Sequence, residues 1–154
     1  SSTPRPPKRP AAPAAPAAMT QEAAAVLSNA RGLTALANRI KGLGQMSGAT
    51  VEIALVRLAN GRQIMVAGIN SSARWTARQL AELKRLGIEV APQVLKGMKN
   101  APHAEENIAA HVASMGGRAE RWSRGVVGNG SRGSYVCTNC QNMVQRIGGV
   151  IEPR

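Results

Sequence analysis

Four side chains carry the chemistry legible in this sequence: His103, Glu105, Cys137 and Cys140. Zinc takes thiolate and imidazole ligands, and the only other such group in the chain is His111. On one helix, His103 and His111 would stand about 12 Å apart along the axis, too far to share one ion. Three ligands remain. Structural zinc is normally closed by four protein ligands, whereas catalytic zinc keeps a position for water, so the count favours chemistry over stapling. Such a zinc ionises water near neutral pH, and Glu105 is a carboxylate outside the ligand set, placed to move the protons. Taken alone, Cys137-Thr138-Asn139-Cys140 also fits a redox pair, a local disulfide or half of a structural metal site.

The combination is more specific than its parts. His-x-Glu within Asn100-Ala101-Pro102-His103-Ala104-Glu105-Glu106-Asn107 opens one helix, and the C-x-x-C opens a later one. In that order and at that separation the pair resembles the cytidine-deaminase-like superfamily, over roughly residues 50–154. The resemblance implies a three-layer α/β/α sandwich whose mixed sheet is opened by a β-hairpin. It also implies Zn2+ held by His103, Cys137 and Cys140, with Glu105 as general acid and base; Glu106 gains no role from it. Asn70, ending Val66-Ala67-Gly68-Ile69-Asn70, looks like the asparagine that often holds the sugar in these enzymes, and reads equally well as a polar strand-end cap. The family usually has proline before the first cysteine. Here Val136 stands there, so the geometry of that loop is not carried over.

Charge narrows the substrate. The chain has 20 basic and 8 acidic residues, no aspartate, and a formal charge of +12, a balance that favours polyanionic partners. Without Arg5, Lys8 and Arg9 of the N-terminal tail there are still 17 basic residues against 8 acidic ones, so the excess is not confined to that tail. A solubilising surface or a general arginine bias is the plainer account. Arg118, Arg121, Arg124 and Arg132 precede Cys137 together with Trp122 and Tyr135, which reads as a strand-binding groove, although each aromatic alone reads as core packing. A base inside a duplex must be flipped out, so single-stranded DNA is the expected target and RNA the next. The expected reaction is deamination of cytosine to uracil; deamination of RNA or free nucleotides, a non-catalytic zinc-containing nucleic-acid-binding module and a thiol oxidoreductase remain alternatives.

The elements that must position these groups read as follows. Residues 1–18 are a Pro/Ala-rich linker without an aliphatic pattern, residues 19–49 an N-terminal helical segment, and residues 50–154 the deaminase domain. Good helix formers from Thr20 to about Lys41, with Ala24, Leu27, Leu33, Leu36 and Ile40 as a broken stripe, predict a helix. Val51–Leu58 and Gln63–Ile69 predict two strands joined by a two-residue Asn60-Gly61 turn, apolar on both faces and hence covered on both. A capping box from Thr76 to Gln79 opens a helix with Leu80, Leu83 and Leu86 inward, and Ile88–Val90 predicts a short strand. A third helix from about Asn100 has Pro102 in its first turn and buries Ile108, Val112 and Met115. Gly125–Val127 predicts a weak strand, Cys137–Ile147 a fourth helix with Met143, Val144 and Ile147 inward, and Val150–Ile151 a closing strand. Two helix N-termini would then meet at the ligands and supply a positive field.

The short chain, its Pro/Ala linker and the catalytic core at its C-terminal end also look like the toxin domains of bacterial polymorphic toxins. That implies secretion or delivery by the producing bacterium, action in the cytoplasm of a target cell, and a cognate immunity protein as partner. No apolar run approaches membrane-spanning length and no signal segment opens the chain, so the expectation is a monomer without a membrane anchor.

Overall fold

The computed structural model describes residues 3–4, 15–44, 48–94, 102–127 and 136–154. In chain order the elements are α1 (Gln21–Ala25), α2 (Gly32–Gly42), β1 (Thr50–Arg57), β2 (Gln63–Ile69), α3 (Ala77–Arg85), β3 (Glu89–Val90), α4 (Ala104–Ser114), β4 (Arg118–Trp122), β5 (Val126–Val127), α5 (Thr138–Arg146) and β6 (Val150–Ile151). They form an α/β/α sandwich around a mixed sheet. The strand order is β3-β2-β1-β4-β6, with β5 paired to β1 beyond β4. Strand β1 runs antiparallel to β2, β4 and β5, while β3 lies parallel to β2 and β6 parallel to β4.

The central hairpin builds both cores, because successive side chains of a strand point to opposite faces. Val51, Ile53 and Leu55 of β1, with Met65 and Ala67 of β2, pack against Leu33, Leu36 and Ile40 of α2 and Leu83 and Leu86 at the end of α3. Ala54 and Val56, with Ile64 and Val66, pack on the other face against Ile108 and Val112 of α4 and Val144 of α5. Runs that are apolar on both faces, interrupted here only at Glu52, are what a sheet covered on both sides requires.

Several local expectations are corrected. The Thr20–Lys41 helix is broken into α1, a 3-10 turn at Val26–Ser28, and α2. Asn29 is extended there and its Oδ1 accepts the Arg31 N–H at 2.8 Å, turning the chain back, while a Cβ at Gly32 would collide with the Val26 carbonyl. The hairpin closes through three residues: Leu58 N–H bonds to Arg62 O at 2.8 Å, Gly61 N–H bonds to Leu58 O at 2.9 Å, and Gly61 takes φ +84°, the left-handed position of a three-residue loop. The Thr76–Gln79 capping box is present, but Leu80 is exposed and only Leu83 and Leu86 enter the core. Helix α4 starts at Ala104, so Pro102 lies before it, and Ile147 is exposed beyond α5. Strand β4, Arg118–Trp122, has no counterpart among the strands that the sequence pattern predicts.

The chain's C-terminal end ties α2 to the sheet. Glu152 is buried, and its carboxylate accepts the N–H groups of Leu33 and Thr34 at 2.9 and 2.7 Å, the Thr34 hydroxyl at 2.7 Å and the Arg121 Nε at 2.9 Å. A helix N-terminus presents unsatisfied N–H groups and a partial positive charge, so the carboxylate satisfies both. Arg121 also bonds to the carbonyls of Leu27 and Asn29. Residues 19–44 thereby share one core with β1 and β2. The chain just before them docks as well: Ala17 N–H bonds to Glu89 at 3.0 Å, and Arg62 bonds to Pro16 O at 2.9 Å.

Candidate metal centre

The first ligand is placed by the start of α4. His103 is the N-cap residue, and its backbone N–H is held at 3.1 Å by Glu106, three residues on, the arrangement of a capping box. Glu106 thus has a structural task that the sequence did not assign. Close approach of this helix end to the sheet depends on Gly68, where a Cβ would meet Ile108 at 2.6 Å and the Ala104 carbonyl at 2.8 Å. Asn107, buried, clamps the same end. Its amide donates to Ile69 O at 2.9 Å and Ser71 Oγ at 3.0 Å and accepts Val94 N–H at 3.1 Å, while Ser71 N–H bonds to Pro102 O at 2.9 Å.

The thiols come from the start of α5. Cys137 is its N-cap, with Sγ accepting the Cys140 N–H at 3.3 Å, so the two cysteines sit one above the other across the first turn. Val136, at the place of the usual proline, is buried, and its carbonyl accepts the Gln141 side chain at 2.7 Å. Both cysteines are free thiols.

The two helix N-termini bring the three side chains together. His103 Nδ1 lies 3.4 Å from Cys140 Sγ and 3.5 Å from Cys137 Sγ, and all three candidate ligand atoms fall within 4.8 Å of one another. This group can hold a metal ion. Among the described residues it is the one set of three or more His, Cys, Asp or Glu side chains that can do so. Residues outside the described set add no Cys, His, Asp or Glu. His111 is taken elsewhere, at 3.3 Å from Glu89, as the helix-rise argument required.

Comparison with protein-family models and with curated proteins found no match. The centre must therefore be read from its own geometry.

Glu105 turns inward from the second position of α4 and is buried. Its carboxyl lies within hydrogen-bonding reach of the Cys140 thiol on one side and of the Glu52 carboxyl on the other. Burial first, then the neighbouring Cys137 and the Glu105 charge, push the Cys140 thiol well above its ordinary range. A thiol so placed is a poor free nucleophile and suits a cation, which would stabilise the thiolate. Beside Cys140, a cavity of about 220 Å³ opens between α4 and α5, lined by Glu106, Asn139, Cys140, Met143 and Arg146.

The described residues expected to bind substrate all have partners within the fold. The Asn70 amide accepts Thr50 N–H at 2.8 Å and donates to Gly48 O at 3.0 Å and Ser72 Oγ at 2.7 Å, which makes it a cap for the strand ends. Trp122 is fully buried among Ala54, Ile108 and Val144, leaving no ring face for a base to stack on. Arg124 turns toward the start of α2: its N–H bonds to Thr34 Oγ1 at 3.0 Å and its guanidinium to Glu152 O at 3.3 Å. Arg121 faces the same helix, and Arg118 pairs with Glu120 at 3.5 Å. Arg132 and Tyr135 lie outside the described residues. Sequence reasoning missed Glu52. Its signal was a lone carboxylate in the otherwise apolar run Val51-Glu52-Ile53-Ala54-Leu55-Val56.

Proposed function

We propose that this chain is a zinc-dependent deaminase of nucleic-acid bases, with cytosine in single-stranded DNA as its favoured substrate. One observation carries the reading: a buried glutamate, Glu105, lies within reach of Cys140 in a three-membered ligand group to which no other His, Cys, Asp or Glu among the described residues adds a fourth ligand. A structural centre needs no such carboxylate. The donor set suits zinc, because tetrahedral Zn–S and Zn–N bonds of about 2.3 and 2.0–2.1 Å place neighbouring ligand atoms about 3.5–3.8 Å apart. The 3.4 and 3.5 Å nitrogen–sulfur distances agree with that spacing.

Zinc, when bound, supplies the Lewis acidity that makes water a nucleophile at neutral pH. The protein's own part is proton transfer. As the water oxygen bonds to the carbon bearing the exocyclic amine, the Glu105 carboxylate takes a proton from the water and delivers it to the adjoining ring nitrogen. It then carries a second proton to the departing amine, the carbon–nitrogen bond breaks, and ammonia leaves with a carbonyl in its place. Burial of Glu105 keeps bulk water from competing for those protons. The net charge of +12 supports a polyanionic substrate, and Lys96, Lys99 and Arg132 in the segments preceding His103 and Cys137 add to it in sequence. Action inside a target cell, neutralised by an immunity protein, is part of the same proposal and rests on the likeness to polymorphic-toxin domains.

The test is to incubate zinc-loaded protein and its Glu105→Ala variant with mixed-sequence single-stranded DNA and to sequence the product. Cytosine-to-uracil conversion by the parent, reduced about 10²–10⁴-fold in the variant, is the expected result. Conversion by neither, with zinc bound and the fold intact, rejects this substrate and sends the test to RNA and free nucleotides.

A further inference from the structure

Glu52 lies at the centre of the molecule, on the middle strand, and is fully buried. It faces the α4–α5 layer, between Gly68 of β2 opposite it and the start of α4 beyond. No cation neutralises it among the described residues. Its Oε1 accepts the Ser123 hydroxyl at 3.1 Å, and Ser123 Oγ in turn accepts the Ile53 N–H at 2.9 Å, so the hydroxyl proton is committed to Glu52. Its Oε2 is buried and receives no donor from the described residues, and the Glu105 carboxyl lies within hydrogen-bonding reach of the Glu52 carboxyl. Two carboxyl groups within hydrogen-bonding reach in a dry interior cannot both be charged, and the pair is stable when one proton lies between them. Glu52 is the deeper of the two and has no route to a cation, whereas Glu105 abuts the metal ligands.

We propose that Glu52 is a positioning residue: as an uncharged acid it donates a hydrogen bond from the sheet to Glu105, fixing that carboxylate against the metal centre. This rests on the deaminase reading for its purpose, though not for its existence. A file of groups then runs from Ile53 N–H through Ser123, Glu52 and Glu105 to Cys140. Glu105 sits in the first turn of a helix, and without a partner behind it the carboxylate could turn to other rotamers. The bond from Glu52 holds one side of the Glu105 carboxylate and keeps the other on the Cys140 side, where it would serve the reacting water.

Two variants separate this role from simple core filling. Glu52→Gln keeps a donor of the same shape, whereas Glu52→Leu keeps the volume and removes the donor. In zinc-loaded protein, the Leu variant is expected to lose about 10- to 100-fold in kcat with KM and zinc content unchanged, and the Gln variant to recover most of that loss. Equal activity in the parent and both variants overturns the proposal. Infrared spectroscopy tests the bond without turnover and without the Leu variant having to fold. The carbonyl band of a protonated carboxylic acid should vanish in Glu52→Gln and shift in Glu105→Gln. A band that survives Glu52→Gln, or ignores Glu105→Gln, also overturns it. Should the band behave as expected while no substrate is deaminated, the hydrogen bond stands and the deaminase reading falls.

Discussion

Two glutamates are buried on the central sheet of this protein, and their treatment is opposite. Glu152 meets the N-terminus of α2, two backbone N–H groups, a hydroxyl and the Arg121 guanidinium at 2.7 Å. Glu52, fully buried, meets a serine hydroxyl and another carboxyl. A buried charge is tolerated when paired and hydrogen-bonded, so Glu152 acts as a structural tie on the α1–α3 side. A buried acid left without a cation must instead stay neutral, and burial, with the Glu105 charge beside it, raises the Glu52 pKa well above the ordinary carboxylate value. The same residue type thus marks a fastening on one face and an uncharged acid near the candidate metal centre on the other.

The largest effects are expected on the site face. Zinc that binds only the folded state stabilises it by about 4 kcal/mol at a free concentration 1,000 times Kd. Cys140→Ser should abolish that gain, lowering bound zinc from about one per chain to a trace after dialysis, with turnover lost alongside. Metal analysis and urea unfolding with and without zinc check it. A variant that keeps a full equivalent of zinc would show that Cys140 is not a ligand.

On the opposite face, Arg121→Met should leave zinc binding untouched and still destabilise the fold. Removing one partner of a buried ion pair leaves the other uncompensated, at a cost of about 3 kcal/mol. Urea unfolding of the zinc-loaded variant measures this, and a change under 1 kcal/mol would mean that the helix N-terminus alone satisfies Glu152. Reduced zinc content in this variant would erase the contrast between the faces.

Much of the site was readable because its signals are local. A cap residue and a partner two or three positions on, as in His103-x-Glu105 and Cys137-x-x-Cys140, are set within one turn of helix. The doubly apolar hairpin strands fixed the two helical layers for a similar reason, since strand periodicity is read residue by residue. What escaped depends on distant partners. Strand β4, Arg118-Ala119-Glu120-Arg121-Trp122, reads as a polar segment, and it becomes an inner strand because Glu152, thirty-one residues away, neutralises Arg121. A register shift beside Leu55 and Val56 further hides its alternation. Distance in sequence also hides the partners of Arg121 and Arg124: the Arg121 guanidinium bonds to Glu152 and to the carbonyls of Leu27 and Asn29, and that of Arg124 to the Glu152 carbonyl. Glu52 showed itself in sequence only as an interruption, and its meaning required Glu105 to be placed against it.

The last expected effect, the smallest for each step in condition, is the most direct test of the contrast. Glu52 has a folded pKa above its unfolded value, about 4.3 for an exposed glutamate. Below that value both states hold the proton and stability is complete. As pH rises past it, the unfolded chain releases the proton while the folded protein keeps it, so stability falls, by at most about 1.4 kcal/mol for each pH unit. Glu22, Glu82 and Glu120, lowered by their arginine partners, contribute the opposite slope, lost as pH falls, but they are common to parent and variant and cancel. The raised Cys140 thiol adds its own loss only near and above pH 8.5, where an unfolded cysteine ionises. In metal-free protein between pH 5 and 7.5, the stability of Glu52→Gln relative to the parent should therefore increase steadily with pH. A difference that stays flat across that range would mean that Glu52 is charged in the folded state, and the two buried glutamates would no longer differ in kind.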